Sequence, residues 1–145
     1  MKAVKRNPRM TPFMRVVSLV VSVSILLSPV AGFAGNLPTG GQVVHGDVTI
    51  DADGALMNLQ QLTGKAIINW ESFNIGAGYG VLVNQPSAQA AMLSRVIGAD
   101  PSRILGMLQA NGIFYLVNPN GVFFGPDATV DAAKLIASTL NIADQ

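Results

Sequence analysis

From residue 36 onward, apolar residues come in short blocks of about four to eight, rich in Val, Ile and Phe and closed by Gly, Asn, Asp or Pro. The blocks predict strands over Gln42 to His45, Asp47 to Ile50, Ala55 to Leu62, Ala66 to Trp70, Ser72 to Ile75 and Tyr79 to Asn84. They continue over Ala90 to Ile97, Arg103 to Leu108, Gly112 to Val117, Val122 to Phe124 and Lys134 to Leu140. Few of them alternate strictly between apolar and polar, and strands apolar on both faces belong to stacked or parallel sheets. Two stretches also fit a helix. Asp100-Pro101 has the form of an N-cap and first-turn proline ahead of Ser102 to Gln109. Gly106 and the closing Asn111-Gly112 favour a strand there, as Val130 and Ser138-Thr139 do for Ala132 to Thr139. Turn residues recur near positions 46, 64, 77, 86, 100, 111, 120 and 126. That loose spacing suits either a meander or a solenoid of about 20 residues per coil.

The sharpest of these turns is Asn118-Pro119-Asn120-Gly121, between Ile113-Phe114-Tyr115-Leu116-Val117 and Val122-Phe123-Phe124. Asn118 can accept a backbone hydrogen bond with its side chain, and Pro119 presets φ for the second turn position. Asn120 tolerates the bridge or left-handed region, and Gly121 permits positive φ at the exit.

The first 34 residues follow a different pattern. Lys2, Lys5, Arg6, Arg9 and Arg15 precede an apolar run from Val16 to Leu27, and Ser28-Pro29-Val30-Ala31-Gly32-Phe33-Ala34 follows. A basic stretch, an apolar run and small residues at a cleavage point make residues 1–34 a secretory signal peptide, expected to be cut between Ala34 and Gly35. An uncleaved membrane anchor is the alternative, and it would require roughly 20 apolar residues to span a bilayer.

The leader changes the charge balance. The whole chain has nine Lys and Arg against eight Asp and Glu, a net charge of +1. Beyond the leader only Lys65, Arg95, Arg103 and Lys134 face all eight acids, four against eight, which leaves −4. A basic nucleic-acid-binding surface is thereby excluded. Residues 35–145 are enough for one small domain with a core of its own. With no cysteine in the chain, that core must hold without disulfides.

Candidate chemistry is thin. Asp51-Ala52-Asp53-Gly54 begins like a calcium loop but lacks the Glu at the required spacing, and reads as a polar turn between strands. His45 is the only histidine, so neither a histidine-based metal site nor a Ser-His-Asp triad can be assembled around a second one. Glu71 beside Trp70 has no marked carboxylate partner of the kind a glycosidase needs. Gly76-Ala77-Gly78-Tyr79-Gly80 lacks the lysine of a phosphate loop. No catalytic residue, metal, cofactor or small-molecule substrate is expected.

Four blocks together carry a family resemblance: Ile68-Asn69-Trp70-Glu71-Ser72-Phe73-Asn74-Ile75-Gly76, Val83-Asn84-Gln85-Pro86-Ser87, Asn111-Gly112 through Asn118-Pro119-Asn120-Gly121-Val122, and Leu135-Ile136-Ala137-Ser138-Thr139-Leu140. Over about residues 36–145 the chain resembles the N-terminal secretion domain of two-partner-secretion exoproteins of the filamentous haemagglutinin type. The resemblance implies an all-β fold, a right-handed parallel β-helix with an N-terminal β cap. It further implies a secretion-targeting role without catalysis. The partners would be the Sec export machinery and an outer-membrane β-barrel transporter, whose periplasmic POTRA-type modules recognise the domain. The product would be secreted or held at the cell surface.

Asn118, Pro119, Asn120 and Gly121 match the family's N-P-N-G motif. Its role is either a structural corner or direct recognition by the transporter, and the structural role is favoured. A second family motif, N-P-N-L, is absent; Asn84, Gln85, Pro86 and Ser87 form only a turn of similar chemistry. Family domains continue well past the Leu135 to Leu140 block. The chain is therefore expected to be a fragment or truncation with its β-helix incomplete at the C-terminal end, and any adhesin, haemolysin or toxin activity would lie in the missing part. The competing reading is a secreted β-helix protein that binds or processes carbohydrate on its own. Clustered Asp, Lys or Arg on one face would mark it.

Overall fold

In the computed structural model, residues 36–142 are described; the signal sequence and its Ala34–Gly35 cleavage point lie outside them. Ten strands follow in order: β1 (Gln42–His45), β2 (Val48–Asp53), β3 (Leu56–Gln61), β4 (Lys65–Trp70), β5 (Gly80–Asn84), β6 (Ala91–Val96), β7 (Ser102–Ile104), β8 (Met107–Val117), β9 (Val122–Phe124) and β10 (Thr129–Ser138).

The pairing winds the chain into a parallel solenoid with three faces. On the first face β3 pairs with β5, β5 with Met107–Ala110 of β8, and those residues with Thr129–Ala132 of β10, all parallel. On the second, β4 pairs with β6, β6 with Ile113–Val117 of β8, and these with Lys134–Ser138 of β10. On the third, Ile75 bridges to Ile104 and β7 pairs with β9. Partners on successive coils lie roughly 20 to 29 residues apart, a spacing typical of repeat proteins. The expected parallel β-helix is the fold, and neither stretch that also fits a helix is one: Thr129–Ser138 is a strand, while the strand expected over Arg103 to Leu108 is split by a corner at Leu105-Gly106 into β7 and the start of β8.

Register aligns the interior into columns. Met57, Val81 and Leu108 stack on the first face, as do Leu59, Val83 and Ala110 beside them. Ala66, Met92 and Phe114 stack on the second face, while Ile75 and Ile104 meet on the third. Every one of these is buried. Each large apolar side chain so placed contributes on the order of 2 kcal/mol. Outward positions such as Ile67, Leu82 and Tyr115 are half-buried by their neighbours above and below, which is why the strands do not alternate strictly in sequence.

An N-terminal cap covers the first coil by running round it in the opposite sense. Thr39 bridges Ser72, β1 pairs with β4 and β2 with β3, all antiparallel, so each face of the first coil meets one piece of the cap. Leu37, Val48 and Ile50 press onto the core from this side.

Three expectations are corrected. The polar turn at Asp51 to Gly54 is shorter than its sequence suggests. Asp51 and Asp53 lie in β2, paired with Asn58 and Leu56, and the reversal is made at Gly54 with φ of 62°. The strand over Ser72 to Ile75 reduces to two isolated bridges. The chain there must turn from the second face to the third, and it buries Phe73 edge-on to Trp70 with ring centroids 5.6 Å apart. The break at Asn111-Gly112 is absent as such, because β8 continues through it as one strand that bends from the first face to the second at a shift in register.

Candidate functional site

The Asn118-Pro119-Asn120-Gly121 turn forms the corner at which the chain leaves the second face for the third. Pro119 occupies the second turn position, and Gly121 N–H closes the turn by donating to the Asn118 carbonyl at 3.0 Å. Gly121 has φ of 117°, a conformation that β-carbon crowding denies to most residues.

The two asparagines have different environments. Asn118 has no solvent exposure, and its amide meets four partners. Its Nδ2 donates to the Asp100 carbonyl at 2.9 Å and to Ser102 Oγ at 3.0 Å. Its Oδ1 accepts from Asn120 N–H at 2.9 Å and from Asn120 Nδ2 at 3.1 Å. Asn120 is exposed and uses its Nδ2 also to reach the Gly98 carbonyl, at 2.8 Å. Both side chains therefore join this corner to the corner one coil below. Ser102 N–H, donating to the Gly121 carbonyl at 2.9 Å, adds a backbone link between the same two coils. Below that, Gly98 lies so close to the first coil that a β-carbon there would sit 2.0 Å from the Glu71 carbonyl oxygen.

A second polar stack lies at the corner between the first and second faces. Gln85 is buried, and its Nε2 donates to Gln61 Oε1, the Ala90 carbonyl and the Ile113 carbonyl at 3.0, 3.1 and 3.2 Å. Its Oε1 accepts from Gly112 N–H at 2.9 Å. Asn111 completes the stack by bonding both backbone groups of Gln85: Oδ1 accepts from its N–H at 2.6 Å and Nδ2 donates to its carbonyl at 2.9 Å. Gln61 extends the stack to the first coil, donating to the Thr63 and Ala91 carbonyls. These side chains satisfy backbone groups where the coil bends, which lets β8 continue past Gly112.

The structure thus places both sequence-marked turns at corners, on different edges of the solenoid. Asn84, Pro86 and Ser87 are exposed, and only Gln85 of that turn points inward. Gln61 and Asn111 were missed in sequence. The one available signal was amide residues recurring at the ends of successive apolar blocks. Asp51, Asp53, Glu71 and His45 are exposed and spread over the cap and a corner. Among the described residues no three His, Cys, Asp or Glu side chains gather as a metal site would need.

The family described as TPS secretion domain matches residues 34–145. A heme/hemopexin-binding protein of Haemophilus influenzae is 36% identical over 129 residues, covering 89% of this chain and 14% of the relative. A second heme/hemopexin-binding protein of that species is 41% identical over 108 residues, covering 74% and 12%. The chain therefore spans about one seventh of these relatives. Among solved structures, the crystal structure of the HMW1 secretion domain from Haemophilus influenzae superposes with a TM-score of 0.71 at 36% identity, covering 74% of this chain and 28% of that one.

Proposed function

The chain belongs to the TPS secretion domain family, a family of secretion domains carried by large exoproteins, and from that premise we propose how its parts serve export. Residues 1–34 act as a signal peptide read by the Sec machinery and removed after Ala34. Residues 35–145 then emerge in the periplasm and engage the POTRA-type modules of a dedicated outer-membrane β-barrel transporter. The observation that carries this reading is the family match over residues 34–145, joined to a capped coil stack like that of the HMW1 secretion domain.

The physical logic lies in how coils form. Each new coil buries its apolar columns on the previous one and adds three short ladders of backbone hydrogen bonds, so folding outside the cell releases free energy step by step. No catalytic residue is required for such a process. The cap supplies a finished first surface on which later coils can grow. An extended segment still inside can meet the transporter by adding a strand to an exposed edge of its modules.

For the Asn118 to Gly121 corner we favour a structural role centred on Asn118, which is supported by its full burial and its four hydrogen-bond partners. Pro119 and Asn120 are the exposed part that a partner could reach. The heme/hemopexin binding named for the two relatives is a lead for the passenger of this exoprotein rather than for these coils.

The test is export itself. The chain is expressed in a Gram-negative host with and without the barrel transporter gene from its own locus, and the periplasm and medium are assayed. Appearance in the medium only with the transporter is the expected result. Equal release without any transporter would overturn the proposal.

A further inference from the structure

The chain contains two Asn-Gly pairs, Asn111-Gly112 and Asn120-Gly121, and both sit at solenoid corners. An Asn followed by Gly is the dipeptide most open to attack of the main chain on its own side chain, because glycine puts no β-carbon in the path. The following amide nitrogen gives up its proton to solvent base and bonds to the Asn Cγ. The Cγ–Nδ2 bond breaks, and ammonia leaves, with a five-membered succinimide left behind. Water then opens either imide carbonyl, giving aspartate or, with the main chain rerouted through the side chain, isoaspartate. No cofactor or oxidant is required.

The folded corners block this reaction at both ends. Gly112 N–H, the attacking group for Asn111, is buried and held by Gln85 Oε1 at 2.9 Å. The Asn111 amide is clamped at 2.6 and 2.9 Å to the backbone of Gln85, the residue one coil below. Gly121 N–H, the attacking group for Asn120, is held by the Asn118 carbonyl at 3.0 Å. The Asn120 Nδ2, which would have to leave as ammonia, is bound by the Gly98 carbonyl and Asn118 Oδ1. Gln85 and the Gly98 carbonyl come from the coil beneath, and the Asn118 amide that helps hold Asn120 is itself fixed by Asp100 and Ser102 of that coil, so the full protection exists only after the coils have stacked.

We propose that Asn111 and Asn120 are deamidation sites of the unfolded chain, and that coil formation shuts the reaction off. Product at either position opposes folding. An aspartate at 111 places a carboxylate oxygen where Asn111 Nδ2 now donates to the Gln85 carbonyl, so a hydrogen bond becomes a repulsion. An isoaspartate at 120 lengthens the main chain between β8 and β9 and shifts the pairing of β9 with β7. The two pairs therefore record how long a chain has stayed unfolded, and a chain that waits too long loses its corners.

The experiment holds the purified chain at mildly alkaline pH in native buffer or in guanidinium chloride. Peptide mass spectrometry follows the mass gain that replacing an amide nitrogen by oxygen produces. In guanidinium, gain is expected at 111 and 120 ahead of every other asparagine. In native buffer both should slow by more than about tenfold, since reaction must await local opening, with 111 slowed most because its attacking amide is buried. Gly121→Ala, tested in guanidinium where folding plays no part, should slow gain at 120 and leave 111 unchanged. Chains aged in guanidinium should then recover less native signal on dilution than fresh ones. Equal rates in the two solvents, gain at other asparagines as fast as at 111 and 120, no effect of Gly121→Ala, or full recovery of modified chains would each overturn the proposal.

Discussion

Replacing Asn118 by Ala separates the two roles open to the Asn-Pro-Asn-Gly corner. The substitution removes donors to the Asp100 carbonyl and Ser102 Oγ, and the acceptor that holds Asn120 N–H and Nδ2. Each such bond is worth about 0.5–1.5 kcal/mol net, and groups left buried without a partner raise the loss, so roughly 3 kcal/mol is expected. For a domain with about 5–15 kcal/mol in total, that is a large share. The melting midpoint should fall by more than about 10 °C. Trp70 is the only tryptophan and is 1% exposed, so its fluorescence reports loss of the core during heating or urea titration. Asn120→Ala is the contrast: it removes bonds to the Gly98 carbonyl and Asn118 Oδ1 from an exposed side chain, and should cost about 1 kcal/mol or less. Export and binding to the transporter's periplasmic region are measured on the same two variants. A structural corner predicts that export falls with stability, more for Asn118→Ala than for Asn120→Ala. If Asn118→Ala melted like the parent chain yet lost binding, the reasoning would be refuted and the corner would be a recognition element.

Other substitutions probe the stacking of coils. Gly98→Ala should destabilise by more than about 2 kcal/mol in urea unfolding, because its β-carbon would meet the Glu71 carbonyl oxygen and force the backbones apart. Gly54→Ala, at φ of 62° with open space around it, should cost only about 1 kcal/mol in the same measurement. Gln85→Leu should cost roughly 3 kcal/mol by leaving Gly112 N–H and the Gln61 amide short of partners, and hydrogen exchange should rise first at Gly112. Phe123→Ser, at a side chain 55% exposed, should change the unfolding free energy in urea little, by roughly 0.5 kcal/mol or less.

Local residue chemistry determined much of this protein. The Val-, Ile- and Phe-rich blocks specified where most strands lie, since β-branched and aromatic side chains suit a stacked sheet. Asn118, Pro119, Asn120 and Gly121 specified their turn, since each residue's φ preference acts within the turn itself. The four blocks carrying the family resemblance point to a secretion domain by sequence alone. Pairing is another matter, because β3 meets β5 and β8 meets β10 across more than twenty residues, and no periodicity within a strand encodes that register. The resemblance implied an N-terminal cap, but only the tertiary structure showed that residues 39–53 form it and run antiparallel to the coils, since their sequence resembles any other strand segment. Asn111-Gly112 read as a break for the same reason. The side chain that spans it, Gln85, comes from the coil below and is invisible to a local reading. The burial of Asn118 was likewise decided by Asp100 and Ser102, neighbours that exist only once one corner has been laid on another.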